Sequence, residues 1–85
     1  MNGLERARRY IAQDNPEAAE RIYTTIIAAV ERLARMPNMG RPGRVDGTRE
    51  LVVAGTPYVV AYRLLDNRLR ILAVQHGAQA WPERF

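Results

Sequence analysis

Residues 58–76 read YVVAYRLLDNRLRILAVQH and carry the clearest structural pattern in the chain. Two runs rich in Val, Leu, Ile and Tyr, residues 58–65 and 68–76, flank Asp66-Asn67. Such residues favour β-strands, and a pair of this type between two of them favours a two-residue turn. The stretch therefore predicts a β-hairpin.

The hairpin has two different sides if Asp66-Asn67 forms that turn. The apolar side, which we expect to cover helices, pairs Leu64 with Leu69, Tyr62 with Ile71 and Val60 with Ala73. The other side pairs Arg63 with Arg70, Ala61 with Leu72 and Val59 with Val74, and His76 lies at its end.

Residues 48–54 form a third strand-like run before the loop Gly55-Thr56-Pro57, which predicts a three-stranded antiparallel meander. A three-residue loop sets Arg49 beside Arg63 and predicts a row of Arg49, Arg63 and Arg70 across the sheet. Like charges directly opposite destabilise a sheet, so the row suggests an anionic partner. One residue of slip in the loop moves Arg49 to the opposite side, and a solvated basic face is the alternative.

The first half of the chain has helical periodicity. Residues 4–13 predict a short helix, and residues 16–36 predict a longer one with an apolar stripe on one side. We predict Asn15 as the N-cap of the longer helix, and Pro16 suits the first helical position. The pattern predicts an α+β fold, in which an N-terminal helix hairpin packs on a three-stranded antiparallel sheet.

Composition limits the class of protein. The chain has 85 residues, 47% hydrophobic and 26% charged, with no cysteine, which predicts one domain over residues 1–85 in a reducing, cytoplasmic compartment. No apolar run approaches the roughly 20 residues that a membrane span needs, and no signal peptide is evident. We expect a protein that is neither secreted nor membrane-spanning.

The net charge of +4 comes from 13 basic and 9 acidic residues, and every basic residue is Arg. Arginine suits bidentate contacts with carboxylates and phosphates, so the balance fits a nucleic acid or an acidic protein as partner. A genome whose codons favour Arg explains the lack of Lys equally well.

Two further segments are candidate binding sites. The loop of residues 40–44 presents Arg41 and Arg44, either as a mobile cationic tip or as a plain connector. The tail of residues 77–85 carries Trp81 and Phe85, aromatic side chains of the kind that anchor interfaces. The alternative for Trp81 is that it folds back and caps the core.

Five segments together resemble the RelE/ParE family of bacterial type II toxins, in the family's order and spacing over nearly the whole chain. They are Tyr10-Ile11-Ala12-Gln13-Asp14-Asn15-Pro16-Glu17-Ala18-Ala19, Gly40-Arg41-Pro42-Gly43-Arg44, Gly47-Thr48-Arg49-Glu50-Leu51, Tyr58-Val59-Val60-Ala61-Tyr62-Arg63 and His76-Gly77-Ala78. The resemblance implies a cytoplasmic toxin without metal or cofactor, encoded beside an antitoxin that wraps around it. RelE-like members cut messenger RNA in the ribosomal A site, whereas ParE-like members inhibit DNA gyrase.

Residues that match the catalytic positions of the RelE-like branch favour the ParE-like branch. These positions hold Val59, Gln79 and Phe85 here, none of which can carry positive charge or exchange a proton. His76 could act as a general base near neutral pH, and Arg49 and Arg63 could contact a phosphate. The local sequence offers His76 no orienting carboxylate, and the ParE-like branch often carries His at this position too, so a structural or partner-contacting role is favoured.

The resemblance predicts non-catalytic inhibition of gyrase through the arginines, His76 and the tail. The alternatives are a ribosome-dependent endoribonuclease and a truncated toxin that only binds antitoxin. The last is favoured by the beginning of the chain, where the first β-strand of the family has no counterpart before Leu4. The open sheet edge then predicts pairing with another chain, in a homodimer or a toxin–antitoxin complex.

Overall fold

The computed structural model describes residues 16–78 and 80–85. A helix, α1 (Pro16–Arg35), is followed by four strands, which are β1 (Arg41–Pro42), β2 (Arg49–Val52), β3 (Tyr58–Leu65) and β4 (Arg68–His76). The strands form one antiparallel sheet in the order β1-β2-β3-β4. The predicted α+β class is confirmed, while the predicted helix of residues 4–13 and the N-cap Asn15 lie outside the described residues.

Helix α1 forms because its sequence supplies both suitable ends and one apolar face. Pro16 occupies the first helical position, and Glu17 stands in the first turn, near the positive end of the helix dipole. Arg32 and Arg35 stand in the last turn, where cations are favourable. The four buried residues lie seven, three and four positions apart, and therefore on one side: Ala19, Ile26, Ala29 and Leu33.

The core lies between this side of α1 and one side of the sheet. Ile26 and Leu33 of the helix and Val53, Val60 and Tyr62 of the sheet region are completely buried. Burying one such aliphatic side chain contributes about 1.5–3 kcal/mol, so a short chain without disulfides gains most of its stability here.

None of the helical segments in the described residues has the length and apolar character that a membrane span requires.

The turn between β3 and β4 agrees with the predicted two-residue hairpin. Asp66 and Asn67 both have positive φ, at 51° and 62°, as a type I′ turn requires. Leu65 pairs with Arg68 on either side of the turn. Asp and Asn adopt this backbone conformation more readily than other non-glycine residues, which explains why the local sequence sets this register.

A β-bulge in β4 changes the register farther from the turn. Tyr62 pairs with Ile71, but the next residue of β3, Ala61, pairs with Ala73, so that Leu72 is the extra residue. The predicted pairs nearer the turn are confirmed, whereas those beyond the bulge are wrong by one residue: Val60 with Ala73, Ala61 with Leu72 and Val59 with Val74.

The bulge moves the end of β4 to the other side of the sheet. Val74 pairs with Val60 and joins the core, and His76 pairs with Tyr58. His76 therefore lies on the helix-covered side, and its predicted position on the side of Arg63 is wrong. The physical reason is that side chains alternate along a strand, so one inserted residue exchanges the two sides.

The β2–β3 loop is one residue longer than predicted. The Val53 N–H donates to the Tyr58 carbonyl at 3.0 Å, which leaves a four-residue loop, 54–57, with Gly55 at a φ of 80°. As a result Arg49 pairs with Tyr62 and not with Arg63. The predicted row of three arginines is wrong, although its Arg63–Arg70 pair is present.

The predicted loop of residues 40–44 contains a short strand. Arg41 pairs with Glu50 and Pro42 with Arg49, which makes β1 a fourth strand beside β2. The Gly43 N–H also donates to the Thr48 carbonyl at 2.8 Å. Neither of the two alternatives for this segment, a mobile cationic tip or a plain connector, includes this strand, whose backbone pairing holds the segment against β2.

Candidate binding surface

Among the described residues, five arginines share the side of the sheet that faces away from α1, and we call this side the arginine face. Strand register gives the positions of four of them, since residues directly opposite or two apart point to the same side. The fifth, Arg44, contacts the same carboxylate as Arg41. The members of the arginine face are Arg41, Arg44, Arg63, Arg68 and Arg70.

Glu50 is the buried anion of this face, with 3% of its surface exposed. Its Oε1 lies 3.3 Å from the Arg41 Nη2, and its Oε2 lies 3.4 Å from the Arg44 Nε. The backbone N–H of Arg44 donates to the same Oε2 at 2.8 Å. One carboxylate thus fastens both β1 and the segment after it to β2.

These contacts keep Glu50 ionised. Burial by itself raises the pKa of the carboxyl group, but the backbone hydrogen bond from Arg44 and the charges of Arg41 and Arg44 outweigh it. The net result is a pKa below the ordinary value for Glu. Arg41 and Arg44 therefore serve a structural role within the molecule, and their side chains still remain 58% and 47% exposed.

The C-terminal tail contacts the same cluster through Trp81. The Arg44 guanidinium carbon lies 4.0 Å from the centroid of the Trp81 ring, a cation–π contact. The indole Nε1 is buried and has no hydrogen-bond partner among the described residues. Trp81 is accordingly half-buried against the arginine face, whereas Phe85 is 40% exposed.

Arg63, Arg68 and Arg70 form a second group on the arginine face, near the β3–β4 turn. Arg63 lies directly opposite Arg70, and Arg68 follows two residues before Arg70 along β4. Arg68 and Arg70 are exposed and Arg63 is half-exposed. In the described part of the chain, none of the three forms an ion pair with a carboxylate.

Arg49 is separated from the other arginines because it lies on the helix-covered side of the sheet, opposite Tyr62. Its Nη1 donates to the Gly40 carbonyl at 2.6 Å and makes a longer contact with the Asn38 carbonyl at 3.5 Å. These hydrogen bonds satisfy the guanidinium within the chain and support the connection between α1 and β1.

His76 packs against Tyr58 at the end of the sheet far from the turn. The ring centroids are 5.6 Å apart at an interplanar angle of 76°, an edge-to-face arrangement. The Ala78 N–H donates to the His76 Nδ1 at 3.0 Å. This hydrogen bond turns Nδ1 towards the backbone of the segment after β4.

The sequence did not indicate the role of Tyr62, whose side chain is completely buried. Its hydroxyl donates to the Pro37 carbonyl at 2.7 Å and accepts from the Gly40 N–H at 2.9 Å. It thereby joins the end of the helical half to the sheet. The role of Glu50 has a sequence signal in retrospect, since this acid directly precedes the apolar run 51–54 and follows shortly after Arg41 and Arg44.

The predicted site residues therefore separate into groups. Glu50 brings Arg41 and Arg44 together, with Trp81 against Arg44, and Arg63 is brought next to Arg70. Arg49, His76 and Phe85 join neither group. Among the described residues, no three His, Cys, Asp or Glu side chains lie close enough together to hold a metal ion.

Known proteins of one toxin family match this chain over most of its length. Residues 1–81 match the family model described as ParE toxin of type II toxin-antitoxin system, parDE. A Sinorhizobium fredii protein named "Putative toxin Y4kP" is 45% identical over 83 residues, 98% of this chain and 85% of its own length. Toxin RelE2 of Caulobacter vibrioides is 37% identical over 76 residues, 89% of this chain and 84% of its own length.

A third relative carries the name of the other branch. Toxin ParE2 of Mycobacterium tuberculosis is 34% identical over 83 residues, 92% of this chain and 78% of its own length. Both RelE and ParE names thus occur among the relatives, and the match covers nearly the whole chain in each case. The chain belongs to the RelE/ParE family of type II toxin–antitoxin toxins, a membership that implies an antitoxin as its partner.

Proposed function

We propose that this toxin inhibits DNA gyrase by binding, without catalysing a covalent reaction, and that its antitoxin neutralises it. The binding surface is the arginine face together with the tail around Trp81 and Phe85. The inhibitor remains bound to gyrase and stops the enzyme's catalytic cycle. The antitoxin acts by covering the same surface.

The candidate catalytic groups Arg49, Arg63 and His76 lie far apart, which favours binding over catalysis. His76 pairs with Tyr58, five residues along β3 from Arg63, which corresponds to about 17 Å at about 3.3 Å per residue. Arg49 and Arg63 lie on opposite sides of the sheet. One phosphodiester cannot contact all three groups, and general acid–base catalysis requires groups within hydrogen-bond reach of the reacting atoms.

The arginine face supports binding for a further reason. Its inner part is held in place by Glu50 and Trp81, so a partner meets side chains that are already ordered. Preorganisation lowers the entropy that is lost on association. The tail adds an exposed apolar side chain, Phe85, of the kind that anchors interfaces.

Two parallel assays with the purified full chain test the proposal. We expect loss of gyrase supercoiling of relaxed plasmid DNA, and undiminished yield and intact messenger RNA in a cell-free translation reaction. Cleaved mRNA with unaffected supercoiling would overturn the proposal in favour of a ribosome-dependent endoribonuclease. If folded protein affects neither reaction, the proposal also fails, in favour of a chain that only binds antitoxin.

Pulse labelling provides the matching test in cells. Induction of the chain without antitoxin should stop DNA synthesis within minutes, before protein synthesis declines. An earlier stop in protein synthesis would contradict inhibition of gyrase.

A further inference from the structure

The β3–β4 hairpin extends beyond the rest of the sheet. The last pair between β2 and β3 is Arg49 with Tyr62, whereas the pairing of β3 with β4 continues to Leu65 and Arg68. Residues 63–70, which we call the hairpin tip, are therefore a two-stranded ribbon with no third strand beside it among the described residues. Its paired part reaches about 10 Å past β2, at about 3.3 Å per residue.

One side of the hairpin tip is basic. Arg63, Arg68 and Arg70 point to the arginine face, and the sole acid in residues 63–70 is Asp66, in the turn. Arg63 and Arg70 are directly opposite, and like charges in that arrangement destabilise a sheet. Unlike Arg41 and Arg44, which share Glu50, these arginines have no described carboxylate between them.

The other side of the hairpin tip holds it rigid. Leu64 and Leu69 pair across the strands and pack against the core cluster. The Asp66-Asn67 turn has the backbone twist that suits a two-residue hairpin. The three guanidinium groups consequently start from an ordered backbone and need to lose only side-chain freedom when they bind.

We propose that the hairpin tip binds the phosphate backbone of duplex DNA through Arg63, Arg68 and Arg70. The inference extends the proposed function, because it makes the DNA held by gyrase a second contact of the toxin. The binding itself is a property of the isolated chain and is measured without gyrase.

Charge density and shape favour duplex DNA as the occupant. Duplex DNA carries one negative charge per about 1.7 Å of its axis, and its major groove, about 12 Å wide, admits a two-stranded β-ribbon. Binding sites for single-stranded nucleic acid typically present aromatic side chains on which the bases stack, and residues 63–70 contain no aromatic residue. The contacts fall on phosphates, so the binding does not depend on base sequence.

The salt dependence of binding gives a quantitative test. Each neutralised phosphate contributes about −0.9 to the slope of log K against log salt concentration, so three contacts predict a slope of about −2.7. By the same relation, lowering the salt concentration from 1 M to 0.1 M raises the association constant about eightfold for each phosphate contact. Fluorescence anisotropy with a labelled duplex of mixed sequence measures both quantities.

The variants isolate the hairpin tip. Arg70→Gln should weaken binding about eightfold at 0.1 M salt and make the slope less steep by about 0.9, and Arg63→Gln/Arg70→Gln should double the change in slope. Arg63→Lys/Arg70→Lys should keep the slope near that of the unchanged chain. Arg21→Gln, which removes an exposed arginine on α1, is the matched control and should change the affinity less than twofold.

Several results would overturn the inference. They are a slope near zero, an equal loss of affinity in Arg21→Gln and Arg70→Gln, and tighter binding of a polyglutamate peptide than of DNA at the same two arginines. The last result would assign the surface to an acidic protein segment. Thermal unfolding of each variant tests whether the fold is intact. We expect it to be intact, because Arg70 is exposed and Arg63 is half-exposed.

Gyrase inhibition is scored separately. DNA binding without inhibition of supercoiling supports the hairpin-tip site and refutes the proposed function. Full inhibition by Arg63→Gln/Arg70→Gln after DNA binding is lost refutes the DNA contact as part of inhibition and leaves the proposed function standing.

Discussion

Removal of the Tyr62 hydroxyl, by Tyr62→Phe, should destabilise the protein without changing its fold. The side chain is completely buried, and its hydroxyl bonds to the Pro37 carbonyl and the Gly40 N–H at 2.7 and 2.9 Å. Pro37 is partly exposed, so water can replace its hydrogen bond at a loss of about 1 kcal/mol. Gly40 is buried, and an N–H left without a partner there costs a further 1–2 kcal/mol or so.

The sum, about 2–3 kcal/mol, is measurable by urea denaturation followed by circular dichroism. An unfolding entropy of about 2 cal/mol/K per residue makes 1 kcal/mol equal to about 4–8 °C for a domain of this size, so the midpoint of thermal unfolding should fall by about 10–20 °C. Exchange of the Gly40 amide hydrogen should also accelerate, because its acceptor is removed.

Thr24→Ala is the control for loss of a hydroxyl. Thr24 is exposed, and its Oγ1 donates to the Glu20 carbonyl within the same helix at 2.8 Å. Such local bonds contribute little, so stability should change by less than about 0.5 kcal/mol. A loss below about 0.5 kcal/mol for Tyr62→Phe would contradict the role of this hydroxyl as the link between the helical half and the sheet.

Three further substitutions test other contacts. Gly40→Ala should cost more than about 2 kcal/mol in urea denaturation, because the added Cβ would lie 2.7 Å from a ring carbon of Tyr62 and 2.9 Å from the Glu50 carbonyl oxygen; a neutral result would contradict this close packing. Since the folded state lowers the pKa of Glu50, its contribution is present above the ordinary Glu value of 4.5 and is lost as pH falls through the lower folded value. Glu50→Gln should accordingly cost about 1–2 kcal/mol at pH 7 and remove that part of the acid dependence, and an unchanged slope of stability against pH would count against the ion pairs. Asn67→Val should cost about 1–2 kcal/mol because φ is 62°, while Asn67→Gly should be nearly neutral in the same thermal unfolding assay; equal effects of the two would refute the turn assignment.

Local chemistry explains which parts of the fold were predictable. The start of α1 at Pro16 and its apolar side follow from residues within one or two turns of helix. The bounds of β3 and β4 and the turn between them follow from the apolar runs around Asp66-Asn67. In each case the residues that determine the structure are neighbours in the chain, so their preferences can be read in order.

Register beyond the turn was not predictable in the same way. The bulge at Leu72 places Val74, and not Ala73, opposite Val60 in the core. Which of the two takes this position depends on contacts that form only when the helix packs on the sheet. The four-residue β2–β3 loop likewise moves Arg49 to the helix-covered side. Each shift of one residue exchanges the two sides of a strand, and with them the neighbours of every charged side chain.

Local residue patterns suffice to predict the α+β class, the helix from Pro16, the β3–β4 hairpin and membership of the toxin family. Which arginines lie together depends instead on contacts between distant parts of the chain. Glu50 joins Arg41 and Arg44, whereas Arg49 and His76 lie on the opposite side of the sheet from Arg63. Hydrophobic periodicity reports which face of an element is buried, but the partners of a charge depend on register and on contacts between residues distant in sequence.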